Sequence, residues 1–405
     1  MVQTKKLKLF NDPIYGFIGT PNELIFRLIG HPYFQRLRRI SQMGMSYLVY
    51  PGAHHTRFHH ALGSMHLMTK AIQVLRLKDI EISEEEEKGL LGAILLHDIG
   101  HGPFSHALEG FIIDGVGHET LSLEYMKALN EEFDSALDLA IEIFNGKYPK
   151  PFLNQLVSSQ LDMDRLDYLK RDSFYTGVTE GNINSERLIS MLNVVDGNLV
   201  VEEKGIYAIE KFLMARRFMY WQVYLHKTSL VAEQLLIRIM QRAKELMPNQ
   251  SILGEDSTLY RFLFEEKEVG VNRDRLSQFA LLDDIDILAA IKKWRFHEDF
   301  VLSKMCQMLL DRNLLTIKLK KSPVQPEKVE AKLNSTSGQF GISKQEASYF
   351  VFTGEISNNT YNQQEQEINI LKKNGKVVHL LKESDALGTD FISRKVTKYY
   401  LCYPK

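Results

Sequence analysis

The segment HDIGHGPFSH, residues 97–106, is the most informative part of this sequence for fold and function. The residues before it, 84–95, have apolar positions at helical spacing, and the glycines and proline of HDIGHGPFSH end that helix. Consecutive side chains within a helix point about 100° apart, so His97 and Asp98 would not easily hold one ion there. At a helix end the backbone can bend so that both reach one point. The pair is therefore either metal-binding or a helix cap, although an aspartate at the negative end of a helix needs a cation nearby.

Histidine is concentrated around this stretch. Ten of the 13 histidines lie between residues 31 and 118, and HHTRFHH, residues 54–60, contains four of them just before an apolar helix. Imidazole suits metal binding and proton transfer, and the guanidinium of Arg57 suits phosphate, which it can bind with two parallel hydrogen bonds. The clustering therefore favours a metal- or phosphate-binding site over histidines scattered on the surface.

A third segment, LDMDRLDYLKRD, supplies carboxylates. Asp164, Tyr168 and Asp172 lie on one face of a predicted helix at four-residue spacing. We interpret the remaining basic residues as the charged outer face of an amphipathic helix: Lys170 and Arg171.

The composition is that of an ordinary globular protein. The chain has 405 residues, of which 44% are hydrophobic and 25% charged, with a formal net charge of −1. This balance gives no general attraction to nucleic acid or to an anionic membrane, so neither is an expected partner. Two cysteines, Cys306 and Cys402, support no disulfide framework, and no run approaches the length of a membrane span. We expect a cytoplasmic protein.

The helical periodicity divides the chain into three predicted regions. Residues 1–250 form a helical core, in which residues 1–50 are a candidate effector or oligomer region, residues 251–313 form an accessory helical region, and residues 314–405 form a small α+β domain. Within the core, Ser83 and Glu86 form a capping box at the start of one helix. Further helices are predicted at residues 21–29, 153–171 and 206–246.

The tail has the pattern of alternating strands and one helix. Asn374-Gly375 between two strands predicts a hairpin, and the order suggests a ferredoxin-like sheet. The predicted strands are 315–319, 349–353, 367–371, 377–381 and 398–402, with a helix near 326–334 and a polar loop at 357–366.

The pattern of His60, His97-Asp98 and Asp164 resembles the HD superfamily of metal-dependent phosphohydrolases. More narrowly, the chain resembles the dNTP triphosphohydrolase branch, which includes a human SAM-and-HD-domain enzyme and bacterial relatives. The resemblance runs from about Lys8 to Lys227 and implies a mostly α protein with an HD-type helical core. It is carried by NDPIYGFI (11–18), FQRLRRISQMG (34–44), PGAHHTRFHHALG (51–63), HDIGHGPFSHALE (97–109), His118-Glu119, DMDRLDYLKRD (162–172) and YLHK (224–227).

The resemblance implies one divalent metal ion and a catalytic group. Ligand type leaves Fe, Mn, Ni, Zn and Mg open for the ion. Such an ion lowers the pKa of a bound water, and attack at the α-phosphorus would release a nucleoside and triphosphate. The implied metal ligands are His60, His97, Asp98 and Asp164. The implied catalytic group is His106 as the acid, Glu109 to orient it, and His101, His118 and Glu119.

The resemblance also implies a substrate site. Met43 could equally be a core residue. Tyr220 stands where the human relative has a histidine, so the substrate contact implied at this position is in doubt. The implied triphosphate clamp is Arg57, Arg165 and Arg216; the implied contacts to the deoxyribose 3′-hydroxyl are Gln42, Tyr168 and Asp172; and the implied 2′ wall is Met43 and Tyr224.

An effector site and an oligomer are the last expectations. The resemblance implies a nucleotide effector at Asn11, Gln35 and Arg38, but Gly30 replaces the acidic residue that reads guanine in the human relative. The alternative role for Gly30 is a left-handed cap that ends helix 21–29, and both interpretations can hold together. We expect a homo-oligomer, a dimer or tetramer, with the aromatic-rich helix 212–224 as one contact.

Two alternatives to dNTP hydrolysis stay open at this stage. One is an HD phosphohydrolase that acts on a monophosphate, a cyclic dinucleotide or an alarmone. The other is a non-catalytic regulator that senses nucleotides.

Overall fold

A small antiparallel hairpin precedes the first helices. The computed structural model describes residues 8–246, 257–264, 271–358, 367–385 and 396–405. The first elements are strands β1 (Leu9–Asp12) and β2 (Gly16–Gly19), helices α1 (Glu23–Gly30) and α2 (Pro32–Gln35), and two 3₁₀ helices (Arg36–Arg39 and Gly44–Leu48).

Two long buried helices, α3 (Arg57–Arg76) and α4 (Glu84–Leu96), pack against each other in the centre of the core. Helix α4 begins at the predicted capping box. The hydroxyl of Ser83 accepts a hydrogen bond from the backbone N–H of Glu86 (3.1 Å), and the Glu86 carboxylate accepts one from the Ser83 N–H (2.8 Å). After Leu96 the chain turns through residues 97–100, as predicted.

The prediction of one helix over residues 153–171 is wrong. The chain forms α5 (Ser105–Leu108), α6 (His118–Glu132), α7 (Asp138–Phe144), α8 (Pro151–Val157) and α9 (Met163–Thr176). The break between α8 and α9 has a local cause. The Asp162 carboxylate accepts hydrogen bonds from the backbone N–H groups of Ser159 and Arg165, both at 2.7 Å, and so caps a new helix.

The helix predicted over residues 206–246 is also interrupted. After α10 (Ser185–Ser190), β3 (Leu192–Val195) and β4 (Asn198–Glu202), helix α11 (Ile206–Met219) passes into a π-helix (Tyr220–Tyr224), and α12 (Lys227–Leu246) follows. The backbone N–H of Leu225 donates to the carbonyl of Tyr220 at 2.8 Å. This five-residue spacing changes the direction in which the two tyrosines of the π-helix project.

The accessory region is helical, as predicted. It contains α13 (Thr258–Phe264), α14 (Arg273–Phe279), α15 (Asp284–Trp294) and α16 (Phe300–Leu310).

The tail is an α+β region, but its strands do not form one ferredoxin-like sheet. Its elements are β5 (Thr316–Lys320), α17 (Pro326–Phe340), α18 (Lys344–Ala347), β6 (Phe352–Asn358), β7 (Asn369–Leu371), β8 (Val377–His379), α19 (Leu380–Glu383) and β9 (Val396–Tyr403).

The tail strands divide between two sheets. One has the order β5-β9-β6, whereas β7 and β8 extend the core sheet in the order β3-β4-β7-β8. In the second sheet β7 pairs in parallel with β4, where Ile370 lies opposite Val201. The predicted hairpin at Asn374-Gly375 is confirmed, with Gly375 at φ +82°. Most of the predicted loop 357–366 lies outside the described residues.

No helix in the described ranges is long and apolar enough to cross a membrane.

Candidate active site

Three of the predicted metal ligands, His60, His97 and Asp164, bring their ligand atoms within 4.8 Å of one another, and Asp98 lies beside this group, where it also approaches His101 and His118. His60 comes from α3, His97 and Asp98 from the turn after α4, and Asp164 from the first turn of α9. Oδ1 of Asp164 lies 3.0 Å from Nε2 of His60 and 3.5 Å from Nε2 of His97. Oxygens of Asp98 lie 3.8 Å from Nε2 of His60 and 3.5 Å from Nε2 of His97. The helix-end geometry expected for His97 and Asp98 is therefore present.

These four residues fit a divalent ion. The Nε2 atoms of His60 and His97 are buried and have no hydrogen-bond partner in the described part of the chain. The other ring nitrogens are engaged, since Nδ1 of His97 lies 2.7 Å from the carbonyl oxygen of Ile94. Nitrogen lone pairs that face two carboxylates suit Fe, Mn, Ni or Zn well, and Mg less well.

The carboxylate of Asp164 is held in its charged form. Burial alone would raise the pKa of Asp164, but the close imidazole rings of His60 and His97 hold it well below its usual range. A charged oxygen ligand is therefore ready at the point where the histidine nitrogens converge.

A buried ion-pair chain behind His60 was not predicted. Nδ1 of His60 lies 2.8 Å from Oδ2 of Asp167. Asp167 accepts two hydrogen bonds from Arg171, at 2.9 and 3.0 Å, and Arg171 donates a third to Asp12 at 2.8 Å. Such partners fix the ring orientation of a metal-binding histidine.

Arg171 is fully buried, so its interpretation as part of an outer face is wrong. Its packing also requires a glycine on the facing helix. A Cβ at Gly63 would lie 2.0 Å from Oδ1 of Asp167 and 2.2 Å from Nη2 of Arg171. The Asp-Arg spacing of four residues within DRLDYLKRD was the sequence signal for this pair.

Arg57 lies between Asp98 and His106, and His101 also approaches Asp98. Nη1 of Arg57 donates to Oδ2 of Asp98 at 2.6 Å, and Nη2 lies 3.4 Å from Nε2 of His106. Nε2 of His101 lies 3.3 Å from Oδ1 of Asp98. Burial, helped by the charge of Arg57, lowers the pKa of His106 to about 4. His106 is therefore neutral when no anion lies beside it.

Glu109 orients His118 rather than His106, contrary to expectation. Oε1 of Glu109 lies 2.6 Å from Nδ1 of His118 and accepts a hydrogen bond from its backbone N–H at 2.9 Å. The ring of His118 stacks on that of His101 with 3.9 Å between centroids. Glu119 is exposed on the first turn of α6 and does not line the cavity described next, so its predicted place in the catalytic group is not supported.

A cavity of about 440 Å³ opens directly onto the ligand cluster. Its volume is in the range of small-molecule sites. Residues of the predicted ligand, catalytic and substrate sets line it: Gln42, Met43, Arg57, Asp98, His101, His106, His118, Asp164, Tyr168, Asp172, Tyr220 and Tyr224. Three further lining residues were not predicted: Ser46, Leu225 and Glu233.

Asp172 is the polar centre of the cavity wall that lies beyond the ligand cluster. The hydroxyl of Tyr224 donates to Oδ2 of Asp172 at 2.7 Å, and Nε2 of His55 lies 2.7 Å from Oδ1. His55 in turn stacks on Tyr175 with 4.4 Å between ring centroids. The side-chain oxygen of Gln42 is buried without a partner among the described residues. Two groups that can bind a hydroxyl therefore face the cavity, and sequence reasoning missed the supporting role of His55.

The other two predicted clamp residues lie behind the wall. Nε of Arg165 donates to the carbonyl of Ser159 at 2.6 Å, and Nη1 of Arg216 donates to Oε1 of Gln160 at 3.0 Å. Neither arginine is among the residues that line the cavity. Both are anchored to the loop between α8 and α9.

The predicted effector residues lie outside this cavity. Asn11 is exposed on β1, Nε of Arg38 donates to Oε1 of Gln35 at 2.9 Å, and Nε2 of Gln35 donates to the carbonyl of Ile29 at 2.6 Å. Gly30 belongs to α1, and its successor His31 has φ −70°, so the left-handed cap considered for Gly30 is wrong.

Comparisons with known proteins agree with this geometry. The HD domain profile matches residues 57–172, and the HD associated region profile matches residues 183–282. A phosphohydrolase from Bacteroides thetaiotaomicron has a solved structure with 49% sequence identity and a TM-score of 0.95, which covers 99% of this chain and 100% of that one. Protein YwfO of Bacillus subtilis is 32% identical over 413 residues, 98% of this chain and 92% of that protein. The chain belongs to the HD-domain family.

As an HD-domain phosphohydrolase, the chain contains all four predicted ligand positions within the matched domain. The domain begins at Arg57 and ends at Asp172, two residues of the cavity wall. The chain also resembles the deoxynucleoside triphosphate triphosphohydrolase SAMHD1 homolog of Dictyostelium discoideum. That protein is 29% identical over 392 residues, 86% of this chain and 75% of its own length.

Proposed function

We propose that this HD-domain phosphohydrolase cleaves deoxynucleoside triphosphates to a deoxynucleoside and inorganic triphosphate. One observation carries the proposal. The cavity that opens onto the His-Asp cluster also contains, in the same wall, the carboxylate of Asp172 with its two fixed partners. A phosphate-cleaving centre and a hydroxyl-binding group are thus within one space of nucleotide size.

His60, His97, Asp98 and Asp164 would hold a divalent ion, which would supply an activated water and polarise a phosphoryl oxygen. The protein places Arg57 beside this point, with its guanidinium buried and shared between Asp98 and His106. In a buried setting its charge acts strongly on phosphate oxygens because water does not screen it. Arg57 therefore orients the α-phosphate toward the ligand cluster.

The leaving group needs a proton, and His106 is placed to donate it. Without substrate, burial and the charge of Arg57 keep the pKa of His106 at about 4. A bound triphosphate is strongly negative, which opposes the effect of Arg57 and favours proton uptake by the imidazole. As water oxygen bonds to the α-phosphorus and the bond to O5′ breaks, the His106 proton passes to O5′. The net reaction consumes one water.

The sugar is recognised at the Asp172 wall. Tyr224 and His55 hold the Asp172 carboxylate in one orientation, so that it can accept a hydrogen bond from the 3′-hydroxyl. Gln42, with a free side-chain oxygen, and Tyr168 complete this part of the wall. Met43 and Tyr224 leave little room for a 2′-hydroxyl, which favours deoxyribose over ribose.

The distal phosphates attract Arg165 and Arg216. Arg216 bonds a neutral amide oxygen of the loop between α8 and α9, and a phosphate oxygen is a stronger acceptor than an amide oxygen. Arg165 bonds a carbonyl oxygen of the same loop and, at 3.2 Å, the carboxylate of Asp162, with which a more highly charged triphosphate would compete. We expect both side chains to turn into the cavity when a triphosphate binds, which would complete the predicted clamp.

The experiment is a product analysis. Purified protein with Mn²⁺ is incubated with each of the four dNTPs and, separately, with the matched ribonucleotides, and the anions are separated by ion-exchange chromatography. Inorganic triphosphate from dNTPs, with far less from ribonucleotides, supports the proposal. Release of phosphate or pyrophosphate instead, or cleavage only of monophosphates, cyclic dinucleotides or alarmones, would favour the other HD phosphohydrolase activity. Tight nucleotide binding without any product would favour a regulator.

A further inference from the structure

One acidic residue of the cavity wall has no part in the chemistry proposed above. Glu233 on α12 lines the cavity and is half-buried. No hydrogen bond or ion pair to Glu233 occurs within the described ranges, and burial alone raises its pKa to about 7. An enclosed carboxyl group is costly unless it has a hydrogen-bond partner. The protein supplies none, so a ligand is the natural partner.

The position of Glu233 indicates which part of a nucleotide it meets. A Cβ at Gly44 would lie 3.7 Å from Oε1 of Glu233, so the carboxyl group lies beside the turn that follows Met43. In the proposed function the His-Asp cluster and Arg57 bind the phosphates, and Asp172 and its neighbours bind the sugar. Apart from the histidines beside Asp98, the lining residues to which the proposed function gives no role, and which are left for the base, are Ser46, Tyr220, Leu225 and Glu233.

We propose that Glu233 accepts a hydrogen bond from an exocyclic amino group of the base and thereby favours amino-bearing bases. This inference rests on the proposed function, because it assumes that a dNTP occupies the cavity. Both ionisation states of a carboxyl group keep an oxygen that accepts a hydrogen bond, so the preference does not require one state. Adenine, guanine and cytosine carry such an amino group, and thymine does not. Leu225 offers an apolar surface to the base beside it.

Matched pairs of substrates test the proposal. dATP is compared with 2′-deoxynebularine triphosphate, which lacks only the 6-amino group, and dGTP with dITP, which lacks only the 2-amino group. We expect kcat/KM to favour the amino-bearing member of at least one pair by about tenfold, the effect of one buried hydrogen bond. The substitution Glu233→Leu should bring that ratio close to one, whereas Glu233→Gln, which keeps an acceptor oxygen, should retain most of it.

Gln234→Leu provides the control. It makes the same kind of change on the same helix, at a neighbour that projects about 100° away and does not line the cavity. Its substrate ratios should equal those of the wild type. The proposal is overturned if the wild type shows no amino preference in either pair, a result that needs no variant to fold, or if Glu233→Leu keeps the wild-type ratios. Absence of triphosphate from every dNTP with the wild type would instead refute the proposed function.

Discussion

Oδ1 of Asp284 lies 2.9 Å from the backbone nitrogen of Phe104 and accepts its hydrogen bond. Phe104 has φ +43°, a left-handed conformation that costs a bulky residue about 1–3 kcal/mol. The second oxygen of the same carboxylate accepts from the backbone N–H of Ser41 at 2.8 Å. One buried carboxylate at the start of α15 therefore fixes both the turn that leads to His106 and the segment that leads to Gln42.

The Asp284 contacts predict a loss of activity on substitution far in sequence from the catalytic residues. In Asp284→Ala two backbone N–H groups lose their acceptor, and the strained turn at Phe104 can relax, which moves His106. We expect kcat to fall about tenfold or more, since displacement of about 1 Å is enough for that. Asp286→Ala weakens the same helix start without contact to Ser41 or Phe104 and should keep most activity. A wild-type kcat in Asp284→Ala would show that the turn at Phe104 keeps its conformation without the Asp284 carboxylate.

Removal of one carboxylate ligand should separate metal binding from folding. Asp164 is partly accessible and its loss creates no large cavity, so Asp164→Ala should melt within a few degrees of the wild type. Turnover should fall to background, and metal content measured by atomic emission after dialysis should drop well below one ion per chain. Lys170→Ala, on the same helix but outside the cavity wall, is the control. Full activity of metal-stripped Asp164→Ala would end the metal-dependent mechanism.

The two adjacent basic residues of α9 should differ sharply in their effect on stability. Arg171→Met leaves Asp167 and Asp12 buried without their cation, which typically costs about 3–5 kcal/mol. Lys170 is half-buried over the ring of Tyr15, so Lys170→Met should cost less than about 1 kcal/mol. Urea unfolding monitored by circular dichroism measures both. Equal effects of the two substitutions would contradict a structural role for the buried ion-pair chain.

The contrast between these two residues shows what local sequence could reveal. The position of His97 and Asp98 at a helix end was predictable, because the residues that end the helix are adjacent. Whether Arg171 faces outward or inward depends on which polar face of α9 packs against α3, and both faces of that segment are polar. The pairing of β7 with β4 joins distant parts of the chain, and strand propensity contains no information on such partners. Glu233 is an isolated acid in its helix and Asp284 is one of three aspartates at a helix start, so only tertiary structure reveals what each of them contacts.

Segment 212–224 exposes less apolar surface for an oligomer contact than the sequence suggested. Half of the apolar residues of segment 212–224 are buried within the chain, and the others are half-buried except Phe218, which is 40% exposed. Exposed Leu9, Phe17 and Phe26 on β1, β2 and α1 provide another apolar surface. We still expect a dimer or tetramer in multi-angle light scattering at micromolar concentration, and Phe17→Ser should weaken it. A monomer across the concentration range would refute the prediction.

The last prediction concerns regulation by nucleotides. Arg38 is exposed and is braced by Gln35, as expected for a side chain that could hold an effector phosphate. Gly30 is exposed at the end of α1, and a Cβ there would meet no atom within 4 Å. The position offers room but no carboxylate to accept the N–H donors of guanine, and a site without that acceptor should lose most preference for guanine. Activation should therefore not require a guanine nucleotide.

The measurement is dATP hydrolysis alone and with added GTP, dGTP, dCTP or dTTP. We expect activity without any addition, or stimulation that does not depend on the base. Arg38→Ala should reduce any stimulation without a change in the unstimulated rate. Gly30→Asp restores the missing carboxylate in open space and within a helix, so it should fold normally and shift the response toward GTP and dGTP. Strict dependence of the wild type on a guanine nucleotide would show that guanine is read by other residues and that Gly30 does not decide effector choice.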